Sequence, residues 1–524
     1  MSPTNKQIHT HPDSISSESK RVWVKWVIIL ISVMTLARLI AVIFNPITLH
    51  ADETQYWIWS QNFDWGYYSK PPMIAWLIGL STSIFGDGDF AVRLPAPLLH
   101  AGTASFIFLI SRRLWDEKLG FFACLAYLTL PAIWLSSAIM STDALLLCAW
   151  SGGLWALLRL RDGEDWPSAI GLGLAIGLGF LSKYAMIYFL LGTGLAMVFD
   201  PATRLALLTR NGLIAATLAS LLIAPNIMWN AAHDFATVSH TAANANWGGA
   251  LFHPDEMAEF VFGQFGVFGP AFFIILLICM VLIFRQFKTI SANSLFLLGF
   301  SLPPLVFVTL QAFISRAHAN WAVAAYIAGL LLVVSFLMRG PAWRRLVLYG
   351  SIALHSIIIV GLMIIITSAP MVEAIGASNS TKRIRAWHET AAAITEAGMA
   401  EDYSAIVFDD RNVFHQMQRY APDLARPLAM WQRYSGPSNH AEQVWPLAED
   451  HQGEILIISH RPLEIARMRE DFTRFEHVSD ISIALDGPKV RDFTLWRAQG
   501  HTRVRRDEAY EDRWLEVDAI ARAE

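Results

Sequence analysis

Long apolar runs separated by short polar segments fill the chain from Val22 to about Thr367, and the pattern then changes. The runs lie near 22–45, 91–111, 119–139, 143–160, 168–182, 184–199, 210–229, 258–284, 293–313, 319–338 and 346–367. Most approach the roughly 20 residues a helix needs to cross a bilayer core. They predict a polytopic α-helical membrane protein with about eleven transmembrane helices. The glycine-rich stretch 171–179 makes the pair meeting near Ser182 short or broken, and its glycines suit close helix packing. They lack the Gly-Lys-Ser/Thr ending of a phosphate loop.

After Thr367 the chain turns mixed and charged. Ile384–Ala397 has an amphipathic helix pattern, while 404–408, 455–458 and 491–496 read as strands. Helical patterns follow the first two, near 412–420 and 462–471, and the last twenty residues form a solvated helix or a loose tail. The expected organisation is a polar tail at 1–21, a membrane domain at 22–367 with a large first outer loop at 46–90, and a small α/β domain at 368–524.

Positive charge orients the chain. Lys20, Arg21 and Lys25, then Arg112 and Arg113, Arg159 and Arg161, Arg204 and Arg210, Arg285 and Lys288, and Arg339, Arg344 and Arg345 fall in alternate loops. The positive-inside rule makes that side cytoplasmic, with the C-terminal domain outside. Composition agrees with the class: 54% of 524 residues are hydrophobic and 16% charged, with mean hydropathy +0.40. Net charge of −4 says little about partners, no nucleic-acid partner is expected, and three cysteines in apolar runs imply no disulfide framework.

Candidate chemistry collects in the outer segments. Asp52 and Glu53 sit where the first helix leaves the membrane, a costly place for carboxylates unless they face protein or water. Tyr56, Trp57, Trp59 and Phe63 accompany them, and Met73–Phe85 is apolar but too short to span, so both stretches read as interfacial helices. Gly66-Tyr67-Tyr68-Ser69-Lys70-Pro71-Pro72 lies between them. A carboxylate can serve as general base toward an acceptor hydroxyl, and Lys70, Lys183, Arg93 and Arg316 can stabilise a departing phosphate. Tyr67, Tyr68 and Trp247 can stack on or hydrogen-bond a sugar. Each has a plainer alternative. Glu53 can merely orient the site, Asp143 can cap the helix that begins at Ser141-Thr142-Asp143, and the lysines and Arg93 can snorkel. His233, His240 and His318 lack metal-ligand spacing.

These segments, in this order, resemble the bacterial branch of the protein O-mannosyltransferase superfamily, which includes the lipid A aminoarabinose transferases. The resemblance rests on Asp52-Glu53-x-x-Tyr56, Gly66 to Pro72, Arg93-Leu94-Pro95, Ser141-Thr142-Asp143, Gly179 to Lys183, the stretch from Trp229-Asn230 to His240, and Ala319-Asn320-Trp321. It covers about the first 340 residues. It implies a GT-C fold and transfer of a sugar from a polyprenyl-phosphate donor to a lipid A, lipopolysaccharide or other envelope glycan acceptor. The expected location is the outer face of a bacterial inner membrane. It makes Asp52 the base, with Glu53 beside it, and Tyr56, Tyr67, Tyr68, Lys70, Arg93, Asp143, Lys183, His240, Arg316 and Asn320 substrate-binding. Ser69 departs from the aminoarabinose transferases, which have an acidic residue implicated in metal binding there; a divalent cation and the aminoarabinose donor both stay open. Protein O-glycosylation is the alternative within the enzyme class. A lipid-linked sugar flippase is the rival from another class, but it would place ionisable residues at the bilayer midplane, often with inverted repeats.

Overall fold

The computed structural model describes residues 12–163, 165–245, 247, 251–376, 381–485 and 489–523; part of the polar N-terminal tail therefore lies outside the described residues. The chain divides into two compact units, one of residues 1–44 and 64–361, the other of residues 45–63 and 362–524. The first outer segment is thus shared between them.

The first unit is helical. Among the described residues, six helices are long and apolar enough to cross a membrane, or nine if each bent pair is one span. Trp166–Ser182 and Ala325–Met338, which the count of eleven includes, are apolar but 17 and 14 residues long. Proline accounts for the breaks. The pairs Glu117–Leu128 with Pro131–Ala138, Tyr184–Phe199 with Pro201–Leu207, and Pro254–Val267 with Pro270–Arg285 bend by 62°, 118° and 112°. In each, proline opens the second member, where its missing N–H costs nothing. A break leaves carbonyls unpaired; Arg38, buried in the helix Pro12–Ile43, donates to Leu128 O at 2.8 Å at the first of them. The glycines of Trp166–Ser182 serve close approach to Arg210–Ala232. A Cβ on Gly173 would lie 2.7 Å from Ala215 O, and one on Gly177 would lie 2.6 Å from Leu222 Cδ1.

The second unit is an α/β fold around a five-stranded sheet. Its strands are β1 (Ala405–Phe408), β2 (Leu428–Met430), β3 (Ile455–Ser459), β4 (Phe472–Ala484) and β5 (Val490–His501), in the order β2-β1-β3-β5-β4. β1 runs parallel to β2 and β3, with Ile406 opposite Leu428 and Leu456, while β5 is antiparallel to β3 and β4. β1 and β3 are buried throughout, as uninterrupted apolar runs require. The helices Arg411–Tyr420 and Pro462–Arg469 follow them. The amphipathic stretch from Ile384 starts as the 3-10 turn Lys382–Ile384 and becomes the helix Trp387–Met399 only after Ala386 takes a left-handed φ of 56°. The charged end of the chain forms the helix Glu508–Ala523.

Residues 45–63 are built into this second unit. Thr48 donates through its N and Oγ1 to Ile384 O, at 3.2 and 2.9 Å. Leu49 N donates to Tyr420 Oη at 2.8 Å, and Leu49 O accepts from Gln416 Nε2 at 2.9 Å. The helix Ala51–Ser60 packs its buried Tyr56, Ile58 and Trp59 in the same unit, where Trp59 meets the His440 ring edge-on at 5.6 Å.

Candidate active site

The acidic helix of the second unit starts in a reciprocal cap. His50 accepts from Asp52 N at 3.2 Å, and the Glu53 carboxylate accepts from His50 N at 2.9 Å. This satisfies two of the amides that every helix start leaves unpaired. Glu53 is 1% exposed, so its carboxylate fixes the helix start. The Asp52 carboxylate is 53% exposed, with His50 Nδ1 at 3.9 Å and the Arg411 guanidinium at 4.0 Å. Of the two acids, Asp52 is the one open to an incoming group. Tyr56 is buried against Trp59, with ring centroids 5.4 Å apart.

The first unit brings three of the expected residues together. Asp143 lies in the first turn of Thr142–Arg161, but its side chain does not cap the helix. One oxygen accepts from Lys183 Nζ at 2.5 Å and the other from Asn320 Nδ2 at 2.7 Å. Lys183 is extended between the helix Trp166–Ser182 and the 3-10 turn Tyr184–Met186, and Asn320 sits in the 3-10 turn Ala319–Ala322. Both cross-links come from breaks in regular structure, which aim polar groups that a continuous apolar helix would not carry. An ammonium has three N–H donors, so a single bond to Asp143 leaves Lys183 capacity for an anion.

The stretch Asp64–Lys70 is pinned in the same unit. Asn226 Nδ2 donates to Trp65 O at 2.7 Å, and Thr237 Oγ1 donates to Tyr67 O at 2.6 Å. Tyr184 Oη donates to Asn226 Oδ1 at 2.9 Å and accepts from Asn230 Nδ2 at 3.1 Å. Gly66 lies against the Trp229 indole, where a Cβ would fall 2.3 Å from the ring. Tyr67 is buried; its hydroxyl accepts from Asp64 N at 3.2 Å, and burial pushes the phenol up to about 12. That ring braces the turn, and Tyr68 meets His240 edge-on at 5.5 Å. Lys70 is half-buried and Arg93 is 1% exposed. Arg316 is exposed, and its guanidinium has no partner among the described residues. Trp247 donates to Gln311 Oε1 at 2.8 Å. Sequence reasoning missed Tyr184, Asn226 and Thr237. The signal for Asn226 was its i,i+4 spacing from Asn230 on one face of an apolar helix.

Below these groups the first unit holds an apolar cavity of about 370 Å³ between Met73–Phe85, Pro95–Leu114, Thr142–Arg161 and Trp166–Ser182. Three of its lining residues, Met73, Leu145 and Ser182, stand within three chain positions of Lys70, Asp143 and Lys183. Among the described residues no three His, Cys, Asp or Glu side chains gather as a metal site, and Ser69 is buried.

Comparison with known proteins fits this arrangement. Residues 69–229 match the family described as dolichyl-phosphate-mannose-protein mannosyltransferase. The lipid A galacturonosyltransferase RgtD of Rhizobium johnstonii is 33% identical over 434 residues, which is 81% of this chain and 89% of that protein. An undecaprenyl phosphate-alpha-4-amino-4-deoxy-L-arabinose arabinosyl transferase of Pseudomonas fluorescens is 30% identical over 211 residues, 36% of each chain. Among solved structures, ArnT from Cupriavidus metallidurans bound to undecaprenyl phosphate superposes with a TM-score of 0.62 at 14% identity, covering 90% of this chain and 98% of that one. The chain therefore belongs to the GT-C family of membrane glycosyltransferases that contains the lipid A galacturonosyltransferase and the aminoarabinose transferases.

Proposed function

We propose that this protein transfers a sugar from a polyprenyl-phosphate donor to lipid A or a related envelope glycolipid, at the outer face of the bacterial inner membrane. The observation that carries the reading is the apolar cavity whose lining residues adjoin Lys70 and Lys183 in the chain. A polyprenyl phosphate is an apolar chain ending in an anion, and an apolar cavity with lysines adjoining its lining in the chain suits both parts. The Cupriavidus structure of the same fold is bound to undecaprenyl phosphate.

In this reading the acceptor hydroxyl attacks the anomeric carbon, Asp52 takes its proton, and the bond from that carbon to the phosphate oxygen breaks. Negative charge builds on the departing polyprenyl phosphate, and the ammonium groups of Lys70 and Lys183 act most strongly at that point. A single displacement inverts the anomeric centre. Asp143 and Asn320 hold Lys183 in place, and Glu53 holds the helix that presents Asp52. The Rhizobium relative's name makes a galacturonosyl donor the first to try.

The test is transfer by purified protein in detergent, from undecaprenyl-phosphate galacturonic acid and a panel of other undecaprenyl-phosphate sugars, to lipid A. Product should form with at least one donor and disappear in Asp52→Asn. Donor flipping in vesicles without any product would overturn the reading.

A further inference from the structure

We propose that the loop Lys382–Trp387 is a docking surface for the anionic headgroup of the acceptor lipid; this rests on the functional reading above and assigns the part of the chain that grips the acceptor. Lys382 and Arg383 are exposed, and neither side chain has a partner among the described residues. Arg385 and Arg491 stand beside them, and His388 follows, with Glu389 the acidic residue of this stretch.

The loop is rigid, which separates it from an ordinary charged surface. Arg491 lies over the Trp387 ring at 3.8 Å and donates to three successive parts of the turn: Lys382 O at 2.6 Å, Arg385 O at 2.9 Å and Ala386 O at 3.3 Å. Its Nη1 also reaches Thr390 Oγ1 at 2.8 Å. Ala386 keeps a left-handed φ of 56° at the centre, a strained choice for a residue with a Cβ. One half-buried arginine therefore clamps the backbone, and the exposed cations beside it are presented by a fixed frame. Such a frame lowers the ordering cost of binding.

Its place in the chain gives the partner. Thr48 makes both of its bonds to Ile384 O, and Thr48 follows the end of the helix Pro12–Ile43 by five residues. Five residues span at most about 18 Å, so the loop is tethered within reach of the membrane surface. The same frame carries the acidic helix: Leu49 is bonded to Tyr420, the Tyr420 ring meets His388 at 4.7 Å, and Asp52 is four positions beyond Thr48. A lipid whose phosphates or carboxylates rested on Lys382 and Arg383 would bring its sugar hydroxyls to the part of the molecule that holds the proposed base. Fixed cations at a membrane surface attract such headgroups, an attraction that salt weakens.

The experiment compares full-length wild type with the double variant Lys382→Gln/Arg383→Gln, in nanodiscs of neutral lipid. Binding of bisphosphorylated lipid A, and separately of phosphatidylglycerol, is measured without donor, at low and high salt. Transfer kinetics follow. Lipid A affinity should fall about tenfold to thirtyfold in the variant, wild-type binding should weaken with salt, and the KM for acceptor should rise while kcat holds. Loss confined to lipid A assigns the loop to the glycolipid acceptor. Loss for both lipids shows a surface for anionic headgroups in general and overturns its assignment to the acceptor. Unchanged binding of both lipids overturns the proposal. Because binding is read without donor, it stands or falls separately from sugar transfer.

Discussion

Asp52 and Glu53 are neighbours of the same chemical type with separate fates. One carboxylate is 1% exposed and closes a helix cap; the other is half open to water beside Arg411. Asp52→Asn keeps size and hydrogen bonding but removes the base, and general-base loss costs about 10²–10⁴ in rate. Near-complete loss of transfer at normal expression is expected, and wild-type turnover in this variant would refute the assignment. Lys183→Ala should cut the single-turnover rate about a hundredfold while weakening donor binding less. Asp143→Ala should do part of this, and the double variant should cost less than the sum of the two, because the side chains share one bond. Additive losses would show that Asp143 does not act through Lys183. Both residues were legible in the sequence as polar groups at the outer ends of apolar runs. Their pairing was not, because the 40 positions between them carry no periodic signal.

At the level of elements, the apolar runs and glycine stretches foretold where helices lie and which of them pack closely. The cost of crowding is testable: Gly173→Val must displace Ala215 O and should lower the thermal midpoint by the equivalent of about 1–3 kcal/mol, whereas Gly350→Ala, with open space around it, should be near neutral. β1 and β3 were readable as apolar runs. β4 was not, because it is an edge strand whose residues are largely exposed and whose Arg474, Glu476, His477 and Asp480 give no apolar run. The helices around the sheet bury His415 and half-bury His440, both as neutral rings. Burial pushes His415 down to about 3 and His440 down to about 4. In the unfolded chain both take up protons near pH 6.5. The stability they confer is therefore present above that pH and is lost as pH falls toward 4 and 3. Thermal melts should show the second unit weakening from pH 7.5 to pH 5 by up to about 2 kcal/mol per ring. His440→Phe should remove about half of that dependence, and an unchanged pH slope would contradict it.

For the whole molecule, the proposed orientation rests on arginines and lysines in alternate loops. A reporter after Glu524 should read the outer compartment and one within 339–345 the cytoplasm; a cytoplasmic C-terminus would reverse the side assigned to every candidate residue. What the sequence could not convey is the partition of the first outer segment. Patterning reads a stretch of chain by its neighbours, and residues 45–63 take their partners from residues 384–440 instead. That partition also sets an order of events during synthesis. The helix bearing Asp52 leaves the ribosome some 300 residues before the residues that bond Thr48 and Leu49 and meet Trp59. At about 5–20 residues per second it waits roughly 15–60 s for them. A chain interrupted between Thr367 and β1 would carry every apolar helix of the first unit and the whole apolar cavity, yet lack the sheet of the unit that holds its acidic helix. On the proposed reading, an incomplete copy stranded in the membrane would keep the donor cavity while its base was not yet seated.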